Sequence, residues 1–210
     1  MSKNIVVLDY GLGNVRSVSN ALQLIGATPT VSRDLALIEN CDGLVIPGVG
    51  AFPQAMQNLR EMQLLEPIRN YMQSARPVLG ICLGMQILFD QGTEYTVTPG
   101  LGFIPGSVDR IPIAPSEGRL PHIAWSVIDV RGEAAQTLFA DLAPEHRRFY
   151  FVHTYAAAKV PAEFIAATVR YCGHEIVAAV RRDNVYGTQF HPEKSAAGGL
   201  QVLRNFLSRC

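Results

Sequence analysis

The chain has 210 residues, enough to bury a full core without disulfides or metal staples. Apolar residues make up 48% and charged residues 17%, against roughly a quarter charged in an average domain, which excludes intrinsic disorder and leaves room for a partner-covered face. Eighteen basic side chains balance eighteen acidic ones, so nucleic-acid binding driven by bulk charge is excluded, and no stretch approaches the roughly 20 apolar residues of a membrane span.

Ile5–Leu8 is a short apolar run, as in a strand buried on both faces, and too short for a secretory signal; a cytoplasmic protein is expected. After the turn Gly11–Gly13, the residues Val15, Val18, Leu22 and Ile25 recur at helical spacing up to Gly26. Leu44–Ile46 predicts a second buried strand ending in Pro47-Gly48-Val49-Gly50. Residues 52–75 read as helical, with Pro67 opening a new segment. Pro77–Ile81 predicts another strand, and Cys82 onward a helix ending near Gly92. Strand–helix alternation of this kind implies parallel strands joined by right-handed crossovers, with loops at the carboxyl ends of strands as the place for a site.

The composition then changes. Residues 93–121 are rich in Gly and Pro and hold only short strand candidates. From 122 to 190 short β runs follow, at Ile123–Val130, Phe149–Tyr155, Phe164–Tyr171, Ile176–Arg181 and Val185–Phe190, with turn signals that predict antiparallel pairing. Gly198–Leu207 is a closing helix. The expected architecture is a single α/β domain over residues 1–210, a doubly wound, mostly parallel sheet extended by antiparallel hairpins. The pairs Arg147-Arg148 and Arg181-Arg182 read as solvated surface.

The cysteines Cys41, Cys82, Cys172 and Cys210 are scattered with no C-x-x-C pair, so free thiols are expected and neither a metal nor a cofactor is indicated. Cys82 stands apart. Gly80-Ile-Cys82-Leu-Gly84 places it at a predicted strand-to-helix bend where larger residues would strike neighbouring backbone, with the thiol at a helix N-terminus that favours thiolate. The amide of Leu83 and one from the Gly48-Val49-Gly50 loop then supply an oxyanion hole. Taken alone, the motif also suits a small buried thiol in a tight turn.

A base and its orienter decide between the two readings. In Gly187-Thr-Gln-Phe-His191-Pro-Glu193, histidine and glutamate lie two apart on what reads as an extended segment, so both face one way and the carboxylate can fix the imidazole. His122 precedes a β run with no carboxylate two away, His153 lies within one, and His146 and His174 lie in turns.

Pro77–Gln86 together with Gln189-Phe-His191-Pro-Glu193-Lys-Ser195 resembles the class I, or triad, glutamine amidotransferases. Within them, Asp9–Asn14, Ile46–Phe52, Pro121–Trp125 and Tyr150–Tyr155 resemble the branch of glutaminase subunits of imidazole glycerol phosphate synthase, across nearly the whole chain. The resemblance implies a flavodoxin-like fold and a glutaminase acting through a cysteine thioester. Cys82, His191 and Glu193 would form its triad, and Val49, Gly50 and Leu83 its oxyanion hole. Gly48, Gln86, His153, Thr154 and Tyr155 would surround glutamine. It further implies a heterodimer with a (β/α)8-barrel cyclase that takes the ammonia in histidine biosynthesis, with Asn14, Trp125 and Lys194 as interface candidates. Two glycines around Val49 lead us to expect a loop with two backbone states, the active one favoured by the partner. The family reads Gly and Asn where this chain has Ala124 and Ser126, which puts that segment's partner contacts in question. A glutaminase component of another system, such as anthranilate synthase, shares the chemistry. A cysteine peptidase and an inactive scaffold are the other readings, disfavoured by Gln86 and by the complete triad.

Overall fold

The computed structural model describes residues 3–132 and 136–210. Its strands are β1 (Asn4–Leu8), β2 (Thr28–Ser32), β3 (Gly43–Gly48), β4 (Val78–Cys82), β5 (Phe89–Gly92), β6 (Thr98–Pro99), β7 (Ile104–Arg110), β8 (His122–Val130), β9 (Arg148–His153), β10 (Tyr155–Ala158), β11 (Ile165–Tyr171), β12 (His174–Arg182) and β13 (Val185–Thr188). The helices are α1 (Val15–Leu24), α2 (Leu35–Asn40), α3 (Phe52–Glu61), α4 (Leu65–Gln73), α5 (Leu83–Gln86) and α6 (Ala196–Leu207).

Nine strands form one sheet in the order β2-β1-β3-β4-β13-β12-β11-β8-β9. From β2 to β13 neighbouring strands run parallel; from β13 to β9 they run antiparallel. The two halves expected from sequence are therefore one continuous sheet, and β13 is where its character changes. Four more strands, β10-β7-β5-β6, make a second sheet.

The alternation of side chains along β1 shows why its residues are all apolar. Ile5 and Val7 join a core with α1 and α6, whereas Val6 and Leu8 join a second core with α2, α3 and α4. Helix α1 obeys its predicted spacing, burying Val18 and Leu22, and Gly26 beyond it has φ +90°. Among the described residues no helix is long and apolar enough to cross a membrane.

Several expectations change. Strand β2 and helix α2 were not foreseen: β2 is an edge strand of sequence TPTVS with no buried residue, and α2 is six residues long. The helical stretch 52–75 breaks at residues 62–64, not at Pro67, with Gln63 at φ +57°. Pro67 falls in the first turn of α4, where its missing N–H has no intrahelical partner to lose. The helix expected from Cys82 to Gly92 stops after one turn. Backbone groups of residues 87–89 instead bind the 101–104 segment, as in Leu101 N to the Ile87 carbonyl and Phe103 N to the Leu88 carbonyl. In the Gly/Pro-rich middle, β7 reaches seven residues. Arg182 is not simply solvated, since its guanidinium lies against the rings of Phe103 and Phe164.

Candidate active site

The glycine-rich turns at 11–13, 48–50 and 80–84 converge beyond the carboxyl ends of the parallel strands β1, β3 and β4, as their spacing requires. Cys82 closes β4 with φ +54° and ψ −109°, a conformation that L-residues rarely adopt. The flanking glycines make the bend fit. A Cβ on Gly80 would lie 2.5 Å from the Gly84 carbonyl oxygen, and one on Gly84 would overlap the Ile46 carbonyl oxygen. Gly48 is wedged between the Tyr10 hydroxyl and Leu83. Gly50 sits at φ +119°, so the conformational latitude of the 48–50 loop resides there and the role of Gly48 is close packing.

Cys82, 7% exposed, opens on a cleft of about 320 Å³ lined by Val49, Gly50, Leu83, Gln86, Pro121, Val152, His153, Thr154, Tyr155 and His191. Of the residues expected at the site, Val49, Gly50, Leu83, Gln86, His153, Thr154, Tyr155 and His191 line this cleft with Cys82, whereas Gly48 lies just behind it and Glu193 does not line it. Glu94 also lines the cleft and was missed; among the described residues it is the one acidic side chain doing so, and its Oε2 accepts a 2.8 Å hydrogen bond from Phe52 N. It lies in a polar stretch between β5 and β6 whose sequence has no pattern to single it out. A larger hollow, about 760 Å³ and bordered by Arg131, Arg181 and Arg182, lies elsewhere and contains none of these groups.

His191 and Glu193 meet as expected, by a different backbone route. The segment Pro192–Lys194 is a 3-10 turn and not extended chain, held by Lys194 N to the His191 carbonyl at 3.1 Å and Ser195 N to the Pro192 carbonyl at 3.1 Å. The turn brings Glu193 Oε1 to 2.9 Å from His191 Nδ1, with both side chains buried. The other ring nitrogen, Nε2, has no aligned partner, yet Cys82 is near enough to act on the ring. Burial opposes a charge on His191, but hydrogen bonding to Cys82 and Glu193 and their negative charge outweigh it, lifting the imidazole to about 10. The imidazole, with the carboxylate on Nδ1 and the sulfur nearby, is thus held toward its charged form.

Two other histidines behave oppositely. His153 Nδ1 lies 2.9 Å from the Tyr155 carbonyl, its Nε2 3.1 Å from His122 Nδ1, and His122 Nε2 3.1 Å from Ser126 Oγ. A carbonyl only accepts, which settles every proton in this row. His153 donates from Nδ1 and accepts at Nε2, His122 donates from Nδ1, and the Ser126 hydroxyl donates to His122 Nε2. Burial drives His122 down to about 4 and His153 to about 3, so both are neutral. His122 is stacked between Phe151 and Tyr171, at 5.0 and 4.0 Å. The His153 ring therefore has no free polar atom for a ligand; it braces the 153–155 corner that lines the cleft.

Along β8 the outward residues Ile123, Trp125 and Val127 are 58%, 44% and 63% exposed, whereas His122 and Ile128 are buried on the other face. Ala124 and Ser126 alternate onto that inner face with His122, away from the Trp125 stripe. Trp125 packs beside Tyr150, and Lys194 lies over the same Tyr150 ring at 5.9 Å. Asn14 is half-buried and caps α1, its Oδ1 accepting from Ser17 N at 3.4 Å.

A family model described as glutamine amidotransferase class-I matches residues 6–210. The imidazole glycerol phosphate synthase subunit HisH of Syntrophotalea carbinolica is 43% identical over 206 residues, covering 96% of this chain and 98% of that protein. The subunit of the same name from Lacticaseibacillus casei is 44% identical over 203 residues, covering 96% and 94%. Among solved structures, PurLQS from Thermotoga maritima superposes with a TM-score of 0.76 at 20% identity, over 99% of each chain, a likeness of fold.

Proposed function

The chain belongs to the class-I glutamine amidotransferases, and from that premise we infer that it is the glutaminase subunit of an imidazole glycerol phosphate synthase, cutting ammonia from glutamine for histidine biosynthesis. One observation carries the reading: a strained cysteine and a carboxylate-held histidine open together on one cleft at the carboxyl edge of the parallel strands.

In this reading the Cys82 sulfur attacks the side-chain carbonyl carbon of glutamine. His191 transfers the thiol proton to the departing nitrogen as the carbon–nitrogen bond breaks, leaving a thioester and ammonia. Water, deprotonated by the same imidazole, then cleaves the thioester and releases glutamate. Glu193 holds the ring in the tautomer that places a proton on Nδ1 and stabilises its charged form. The Leu83 amide, first in α5 and without an intrahelical acceptor, and an amide of the Val49–Gly50 segment receive the oxyanion. Glu94 faces the substrate ammonium, and Thr154 and Tyr155 shape the far wall.

The ammonia passes to a (β/α)8-barrel cyclase. Its docking face is the stripe Ile123, Trp125 and Val127 with Tyr150 and Lys194 beside it, because this exposed apolar surface backs onto the triad: His191 N donates to the Tyr150 carbonyl at 3.0 Å. Asn14 contributes from the neighbouring turn. Docking selects the Val49–Gly50 peptide orientation that completes the oxyanion hole. The whole assembly is a cytoplasmic heterodimer.

The test is glutamine turnover by the purified chain with and without a matched cyclase, combined with labelling by a glutamine-like diazo ketone. Label on Cys82 and turnover raised by the cyclase support the reading. Label elsewhere, or equal turnover by the free chain, would overturn the nucleophile or the partner control respectively.

A further inference from the structure

We propose that Gln189 is a second hydrogen-bond donor to the Cys82 sulfur, oriented by Gln86 and the Tyr155 carbonyl, and that it sets both the position of the thiolate and the fraction of thiol ionised. The proposal rests on Cys82 being the nucleophile.

The helix that was expected to favour thiolate is a single turn, Leu83–Gln86, too short for a macrodipole of any size. Side chains take its place. Gln189 Nε2 donates to Cys82 Sγ at 3.6 Å, and Gln189 Oε1 accepts from Gln86 Nε2 at 3.0 Å. Gln86 Nε2 also donates to the Tyr155 carbonyl at 3.0 Å. An amide nitrogen carries two protons, and both are engaged. Because the Tyr155 carbonyl can only accept, Gln86 must turn its nitrogen inward. Gln189 must then turn its oxygen to Gln86 and its nitrogen to sulfur. Reversing Gln86 would set its oxygen against the Tyr155 and Gln189 oxygens, and reversing Gln189 would set nitrogen against nitrogen at Gln86 and an acceptor against the sulfur. One backbone carbonyl thus dictates a donor at the sulfur.

The setting makes this donor count. Gln189 is 0% exposed, Gln86 6% and Cys82 7%, so little water competes. The backbone carrying the donor is clamped: Gln189 N binds the Ala178 carbonyl at 2.8 Å, and two residues on His191 N binds the Tyr150 carbonyl at 3.0 Å. Gln189 and His191 therefore bring an amide donor and an imidazole ring to one sulfur from one rigid segment. Stabilising a thiolate also lowers its nucleophilicity, but with a Brønsted slope of about 0.4–0.5 a tenfold gain in ionised fraction costs only about threefold in intrinsic reactivity. The arrangement leaves Gln86 Oε1 as the free polar atom of that amide toward the cleft. Tyr155 and Gln86 line that cleft, so its occupancy reaches the sulfur through three hydrogen bonds.

The experiment measures iodoacetamide alkylation of Cys82 against pH in the full chain, read on the Cys82 peptide by mass spectrometry. Gln189→Met removes the donor at similar volume, and Gln189→Glu replaces it with a carboxylate. The expected result is an alkylation midpoint higher by on the order of one pH unit in Gln189→Met, a tenfold loss of thiolate below it, and higher still in Gln189→Glu. A wild-type midpoint in Gln189→Met overturns the proposal. Should that variant not fold, Gln86→Met decides by the same readout: a raised midpoint supports the relay and an unchanged one refutes it. Because alkylation needs no turnover, these results stand apart from the nucleophile assignment, which fails on its own if Cys82→Ala still hydrolyses glutamine.

Discussion

His191 and the pair His122–His153 are buried to the same degree, at 2%, 0% and 6% exposure, and hold their protons in opposite ways. Hydrocarbon surroundings penalise imidazolium at all three. At His191 a buried carboxylate and a sulfur outweigh that penalty and raise the ring to about 10. At His122 and His153 the partners are a hydroxyl, a carbonyl and each other, and burial wins, at about 4 and about 3. The contrast teaches that depth alone does not set the charge of a histidine in this cleft; the chemical type of the hydrogen-bond partner does. One ring is thereby held toward its charged form, the other two toward their neutral form.

The most severe way to break the contrast is Cys82→Ala. Glutamine turnover is expected to fall by at least about 10⁴-fold. The His191 titration, followed by NMR, should move down as one of its two supports disappears. Next comes Glu193→Gln, which keeps the shape and removes the charge. Turnover should drop about 10²- to 10⁴-fold, and His191 should titrate closer to its two neighbours. If Glu193→Gln left both quantities unchanged, the partner explanation would be wrong.

A third measurement sharpens the contrast through stability. An unfolded histidine binds its proton near 6.5, whereas folded His122 and His153 refuse theirs until about 4 and about 3. Between pH 6.5 and 4 the unfolded state binds more protons, so stability must fall as pH falls, with a slope approaching about two protons. His191 has the opposite sign: its contribution is full below pH 6.5 and is lost as pH rises toward 10. Urea unfolding at a series of pH values checks this, and His122→Asn should remove about one proton from the acid slope. The smallest effect belongs to Ser126→Ala, which deprives His122 Nε2 of its donor and should cost about 1 kcal/mol, measured by the same unfolding. Ser126→Asn restores a donor and should be close to wild type.

Much of this was legible in the sequence because local constraints are severe there. Gly80 and Gly84 have no room for a Cβ, so their spacing around Cys82 announces the bend, and runs such as Val45–Ile46 announce strands covered on both faces. The pairing of His191 with Glu193 was legible because the two are neighbours in sequence. What escaped depends on distant contacts. Thr28–Ser32 has β-branched residues but also Pro29 and no buried face, so its strand rests on β1 supplying the pairing. The end of α5 is decided by residues 101–104 taking over its backbone hydrogen bonds. Glu94 is one of several polar residues in a loop until α3 and the cleft come beside it. Gln189 was in view as part of a motif, but its link to the sulfur needs Gln86 and Tyr155 brought together from elsewhere.

The placement of β13 against β4 has a consequence for the newly made chain. Gln189 and Cys82 are 107 residues apart, so Cys82 leaves the ribosome well before the residues that meet its sulfur. Until they dock, the Cys82 thiol has neither the His191 ring nor the Gln189 amide beside it. The surroundings of residue 82 are thus complete only when the nine-stranded sheet is filled in at its middle.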